Sequence, residues 1–507
     1  FEYKFDDLFS TERILFEPKK STSTTNNGLV QSGSGGNLGE EATDADNYSL
    51  ISREEYHEGM WNGDRSREKL NASGGAGTLN QIQGSVYPNA QPVMIEGGGT
   101  RMMIFAGDDS KRSSANKSAL KYSIYDKNTG IWSEPKLIDD DGTADSEFSA
   151  YSDGTDLYVS WTDMKEPLAD SVTLTDSLKQ TRIKAAKYDS ASGSFQTAVV
   201  DTEENVRYSQ VLKENGKTLV SYVKGSDAFL GGDSRLRINT VDFAAGTSTS
   251  ASDDLIQNLT EYVLMPGTGH FSILTVTDTD GSSDTKDDKV LHISSDDYSN
   301  PKALDTGGIG NLIVREGSAY YLKNGVLCSY TEGTGTKTET EVGTVRQADI
   351  TEYNGSRAAV YTKMAGDNAQ LYLKTYNASA GTWSEESQIS AFSTDINLFS
   401  AASESGGLYF LINDVDYQKD TAGNVTGATY NISSSRFEGK TDLGISSVDY
   451  EDYQSGSSGN TLSAKVTLEN HGTADLSSYK LQLVSGGTVL SEISRTDVIA
   501  AGAGQEL

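Results

Sequence analysis

Short runs of alternating apolar and polar residues, each entered through a polar residue and a glycine, recur along most of this chain. They stand at 96–108 (EGGGTRMMIFAGD), 152–163 (SDGTDLYVSWTD), 214–224 (ENGKTLVSYVK), 266–278 (PGTGHFSILTVTD), 315–324 (REGSAYYLKN), 353–363 (YNGSRAAVYTK) and 404–414 (ESGGLYFLIND). Period-2 alternation marks strands, and Asn, Asp and Gly supply the positive φ that tight hairpins need. One glycine from each copy (Gly98, Gly154, Gly216, Gly269, Gly317, Gly355, Gly406) gives a repeat of roughly fifty residues, one small sheet per unit, the signature of a β-propeller.

A second phrase alternates with the first: 125–133 (YDKNTGIWS), 188–196 (YDSASGSFQ) and 376–384 (YNASAGTWS), with degraded copies at 241–248 and 330–337. Each ends a strand in Tyr-Asp or Tyr-Asn, turns at a glycine and restarts on an aromatic large enough to wedge between neighbouring units. Each unit therefore reads strand, Gly turn, strand, long loop, strand, Gly turn, strand. The second phrase resembles the Asp-box of sialidase-like propellers (S-x-D-x-G-x-T-W) and the Y-D-x-x-T-x-x-W turn of kelch and galactose-oxidase-like propellers. Asp126, Gly130 and Trp132 fit, the leading Ser is absent, and no copy is complete. The resemblance implies a propeller over about 86–440 and carries no activity with it.

The expected fold is all-β: a seven-bladed β-propeller followed by an immunoglobulin-like β-sandwich. Residues 1–85 form an N-terminal segment with a linker at 21–48 and one helix-like stretch at 52–70. The last unit lacks a clear fourth strand, and an unpaired sheet edge there calls for a strand from the N-terminal segment. Residues 1–5 or 14–17 are the candidates, a three-stranded last blade the alternative. Residues 441–507 resemble the bacterial cell-adhesion-related (CARDB-like) module in D-L-x-I at 442–445, V-x-L-x-N-x-G-T at 466–473 and A-A-G at 500–502. The resemblance implies a seven-stranded sandwich, cut short here, of the kind that forms stalks on bacterial surface proteins. The first residue, Phe1, suggests a processed or trimmed chain with further domains in a larger parent.

Charge narrows the partners. With 73 acidic against 42 basic residues, the net charge is −31. Such a chain does not suit a nucleic-acid backbone or an anionic membrane surface. No apolar run is long enough to span a bilayer. The lone cysteine, Cys328, sits in an apolar strand and reads as a small buried hydrophobe.

Candidate chemistry is sparse. His57, His270, His292 and His471 share no metal-ligand spacing, and no nucleophile elbow or phosphate loop is present. Arg101, Arg207, Arg315 and Arg346 fall near inner-strand positions without forming a motif. Two acidic loops, 139–147 (DDDGTADSE) and 278–288 (DTDGSSDTKDD), gather carboxylates around a glycine, and hard oxygens on a flexible turn suit Ca²⁺. The ligands would be Asp278, Asp280 and Asp284 in one and Asp139, Asp141 and Asp145 in the other; solvated acidic hairpins are the plainer alternative. The expected role is a non-catalytic, extracellular adhesion protein of a bacterial surface, its head binding a glycan or protein, with Trp161, Tyr158 and the 225–235 loop as candidate contacts, Trp161 reading more readily as core. A propeller glycoside hydrolase or polysaccharide lyase, and a passive scaffold, are the competing expectations.

Overall fold

The computed structural model describes residues 16–18, 48–50, 79–86, 88, 91–225, 234–252, 259–267, 270–278, 288–315, 317–404, 407–421, 425–439, 443–456, 459–470, 476–485, 488–499 and 504–506. The protein is all-β and its body is a seven-bladed propeller. Blade 1 runs Val93–Gly97, Thr100–Asp108, Ser118–Asp126 and the short pieces Ile131–Trp132 and Lys136–Leu137. Blade 2 is Asp145–Ser152, Leu157–Met164, Thr181–Asp189 and Ser194–Asp201; blade 3 is Val206–Glu214, Lys217–Lys224, Arg235–Asp242 and Thr247–Ser252. Blade 4 is Leu259–Pro266, Phe271–Thr277, Lys289–Ser294 and Asp297–Thr306; blade 5 is Ile309–Arg315, Ser318–Lys323, Val326–Thr331 and Gly335–Glu341. Blade 6 is Ala348–Tyr353, Ser356–Ala365, Asn368–Asn377 and the short Thr382–Trp383 and Ser387–Gln388. Each sheet is antiparallel in sequence order. First strands neighbour one another all the way round, and the circle closes where blade 7 meets Val93–Gly97.

Blade 7 combines the two parts of the chain. Asp395–Glu404, Gly407–Lys419 and Val425–Glu438 are followed in space by Asn80–Val86, paired antiparallel with Asn80 opposite Ser434 and Val86 opposite Tyr430. The strand comes from the end of the N-terminal segment, as expected, but from a stretch not named from sequence. Residues 1–5 lie outside the described residues, and Phe16–Pro18 pairs with Tyr48–Leu50 instead. The blade has four strands, so the three-stranded alternative falls. The helix-like stretch 52–70 also lies outside the described residues.

The repeated phrases are turns with a local cause. Asn215 and Gly216 have φ of 51° and 74°, a pair of left-handed residues that β-branched side chains would strain. In the second phrase the Asp or Asn caps its own loop: Asp126, Asp189, Asp242 and Asn377 accept from the backbone N–H two residues on at 2.8, 3.0, 2.9 and 3.0 Å. The aromatic that follows is the expected wedge. Trp132 donates from Nε1 to Tyr409 of blade 7 at 2.7 Å, and Phe195 packs edge-on to Tyr122 of blade 1. Trp383 reaches Glu339 of blade 5 at 3.1 Å.

Inner strands present an open edge, and side chains of the neighbouring blade close it. Ser149 accepts from Val211 N at 3.1 Å. Gln210 bridges Tyr262 O and Leu264 N at 2.6 and 3.0 Å. Glu261 accepts from Asn311 N and Leu312 N at 3.1 and 2.7 Å. Asn311 bridges Ala348 O and N, and Gln347 bridges Phe399 O and N. Unpaired strand edges are costly when buried, so these polar residues near the axis are structural first.

Beyond the propeller, Leu443–Gly456 pairs with Gly459–Asn470, which also pairs with Gly504–Glu506; Tyr479–Ser485 and Thr488–Arg495 form a separate hairpin. Leu468, Tyr479 and Ile499 make a small core.

Candidate functional site

Antiparallel order puts alternate connections at opposite ends of every blade. The repeated glycine turns all fall at one end. At the other lie the inter-blade connections and the loops between second and third strands. Four of those loops, at 109–117, 165–180, 225–234 and 278–288, are long and belong to blades 1–4. Blades 5 and 6 make the same connection with Asn324–Gly325 and Gly366–Asp367 alone. Long connections are thus gathered on blades 1–4 and short ones on blades 5 and 6, and the loop-bearing end is the candidate recognition surface.

The foot of this surface is an ionic network on blade 2. Lys184 Nζ lies 2.6, 2.5 and 3.0 Å from carboxylate oxygens of Asp139, Asp141 and Asp163. Arg182 contacts Asp141 at 2.7 Å and Asp163 at 2.5 Å. Thr143 donates its hydroxyl to Asp163 at 2.6 Å. Arg112, from the 109–117 loop, lies 3.4 Å from Asp109 and donates to Asp139 O at 3.3 Å. Asp145 is fully buried and accepts from Leu120 N at 3.0 Å and Trp161 Nε1 at 2.8 Å. Burial, then the neighbouring Asp163, pushes the Asp145 carboxyl well above its ordinary range. Burial alone would raise Asp141 too, but hydrogen bonds from Lys184 and Thr143 outweigh it and hold that carboxyl at about 2. Burial opposes the charge on Lys184, yet Asp163, Asp139 and Asp141 raise its ammonium above the usual range.

The structure therefore brings Asp139, Asp141 and Asp145 to one neighbourhood, with Lys184 standing among Asp139 and Asp141 where a cation would sit. In the second acidic loop, Asp278 and Asp288 are buried at the base, while Asp280 and Asp284 lie outside the described residues. Among the described residues no group of three or more His, Cys, Asp or Glu is arranged to hold a metal ion. Trp161 and Tyr158 are fully buried, so they are core residues rather than contacts. Most of the 225–235 loop lies outside the described residues, as do His57 and His471. His270 meets Glu332 at 2.8 Å at the turn end, and burial lowers the pKa of His292 beside Tyr330. Cys328 is buried, and burial pushes its thiol up.

Nearer the axis, the first strands of blades 2, 3, 4, 5 and 7 each carry a bulge close to this end. Glu147 and Tyr208 sit in two of them with φ of 39° and 53°. Non-glycine residues in that region cost on the order of 1–3 kcal/mol each and concentrate where function demands them. Arg207 Nε reaches Glu147 at 3.1 Å, with its guanidinium 4.6 Å from the Tyr208 ring centre; Thr162 donates to Glu147 at 3.2 Å. The four arginines noted in the sequence do not converge. Arg207 and Arg346 are at the loop-bearing end. Arg101 (with Glu96 and Glu404) and Arg315 (with Asp349) are at the turn end.

Sequence reasoning missed a clamp written three times in the second strands. Tyr222, Tyr321 and Tyr361, each followed two residues later by lysine, donate to Asp201, Asp305 and Glu386, and the lysines bind Glu203, Asp305 and Glu386. The recurring Tyr-x-Lys was its signal.

No family model and no curated relative matches the chain. Among solved structures it is similar to a prolyl endopeptidase (10% identity, 79% of this chain and 55% of that one, TM-score 0.38). It is also similar to Trypanosoma rangeli sialidase (10%, 68% and 54%, TM-score 0.37) and Pyrococcus horikoshii acylaminoacyl peptidase (9%, 75% and 58%, TM-score 0.40). The chain spans little more than half the length of these structures. The likeness is one of propeller fold, and no activity follows from it.

Proposed function

We propose that the protein is a recognition module of an extracellular bacterial surface protein, and that its loop-bearing end binds a glycan or a protein. The observation that carries this is the confinement of the long loops to one side of one end, above a foot fixed by buried ion pairs. Such preorganisation reduces the entropy lost on binding. The axial polar residues are engaged in closing inner strands, which favours a platform over a reaction chamber. The unit 443–506 would be a CARDB-like stalk module, and calcium is retained for the 278–288 loop, whose buried Asp278 and Asp288 sit at its base.

The test is an array of glycans and matrix proteins probed with the protein and with a variant in which 109–117 and 165–180 are replaced by two-residue Asn-Gly turns. Binding by the first and loss of it in the second, with cooperative melting retained, supports the reading; equal binding by both overturns it. The strained Glu147 and Tyr208 flanking Arg207 favour a second reading, a glycan-cleaving site. Reducing-sugar release that disappears in Glu147→Gln would establish that reading and displace the first.

A further inference from the structure

The joints between inner strands are closed mostly by neutral groups: Ser149, Gln210, Asn311 and Gln347. Two joints use carboxylates. Asp349, which accepts from Ala401 N at 3.1 Å, is accompanied by Arg315 at 3.1 Å. Glu261 has no cation beside it among the described residues. It is buried, and its two oxygens accept from Leu312 N and Asn311 N at 2.7 and 3.1 Å, tying blade 4 to the bulge of blade 5. The next residue on its strand, Tyr262, donates its hydroxyl to Tyr208 O of blade 3 at 2.6 Å. Asp278 follows the second strand of blade 4, Asp288 precedes the third, and Arg346 precedes blade 6; Glu261 forms no ion pair with any of them. A buried carboxylate without a counter-charge favours its neutral form.

We propose that the joint between blades 4 and 5 is a proton-operated seam, held dry by Glu261 as the neutral acid and drawing in water when Glu261 ionises. Burial, opposed by the N–H groups of Leu312 and Asn311, places its pKa at about 7, against an ordinary value of 4.5. A pKa raised on folding means the contribution to stability is complete below about 4.5 and is lost as pH rises through about 7. The seam is therefore tightest in mildly acidic surroundings and loosens on the alkaline side of neutrality.

Melting temperature between pH 5 and 8 tests this on the whole chain. Glu261→Gln keeps one acceptor and removes the charge. It should melt above the unsubstituted protein at pH 8, and the gap should close at pH 5. The same pH profile for both proteins would overturn the proposal. If the variant does not fold, the infrared carbonyl band of the buried acid in the unsubstituted protein decides: a carboxylic acid persisting to pH 6 supports the seam, and complete ionisation by pH 5 contradicts it. Hydrogen exchange at 309–313 should quicken across pH 7 beyond the ordinary base-catalysed rise, and its failure to do so would also count against the seam.

Discussion

Single side chains in this molecule act mainly as closures of charge or of backbone edge. Tyr361 is fully buried with its hydroxyl 2.7 Å from Glu386, which Lys363 also holds at 2.9 Å. Tyr361→Phe removes a hydrogen bond to a charged acceptor and should cost about 1.5–3 kcal/mol in urea unfolding. A change below about 0.5 kcal/mol would show the clamp to be ornamental. Asp163 is more exacting, because Lys184 and Arg182 both rest on it. Asp163→Asn leaves that charge partly uncompensated and should cost about 3–5 kcal/mol. Acid acts on the same network from another side. Asp141 has a folded pKa of about 2, below the ordinary 3.8, so its contribution is present above pH 4 and is lost as pH falls toward 2. A pH titration of Asp141→Asn should lack that part of the acid limb.

Strands and turns differ in how openly the sequence announces them. The glycine turns were legible because the geometry admits few residues: Asn215–Gly216 and Asn354–Gly355 are left-handed pairs, and Asp126, Asp189 and Asn377 brace their own loops. The aromatic wedges followed from the same phrases. The closing strand was not legible. Asn80–Val86 reads NQIQGSV: only Ile82 and Val86 face the core, and the polar residues around them, set beside the serine-rich stretch of Val425–Glu438, leave too little apolar signal to mark a strand. The acidic loop at 139–147 resembled a calcium loop for a related reason. Its counter-charges, Arg182 and Lys184, lie about forty positions away and meet it only through the sheet. Strand exchange makes a prediction of its own. A chain beginning at residue 79 should melt cooperatively, whereas one beginning at residue 87 leaves the edge of Val425–Glu438 bare and should aggregate or lose its transition. Equal behaviour of the two would contradict closure by this strand.

Across the whole molecule, the ring has two unlike ends, and the proposed recognition belongs to one of them. One end carries the short glycine turns; the other carries long connections in blades 1–4 and two-residue connections in blades 5 and 6. A net charge of −31 keeps the surface soluble and selects against polyanionic partners. If calcium binds at 278–288, millimolar Ca²⁺ should raise the melting temperature over EDTA, and Asp278→Asn should remove the increment. A null shift would withdraw the ion from the proposal. All of this rests on the ring being closed by the strand from the N-terminal segment, and one cross-link measures that directly. In a Cys328→Ala background, Asn80→Cys and Ser434→Cys place a thiol on each member of a registered pair. Under mild oxidation, peptide mass spectrometry should find the two cysteines joined and cooperative melting preserved. Thiols that stay freely alkylatable in the folded protein would mean that Asn80–Val86 does not complete blade 7.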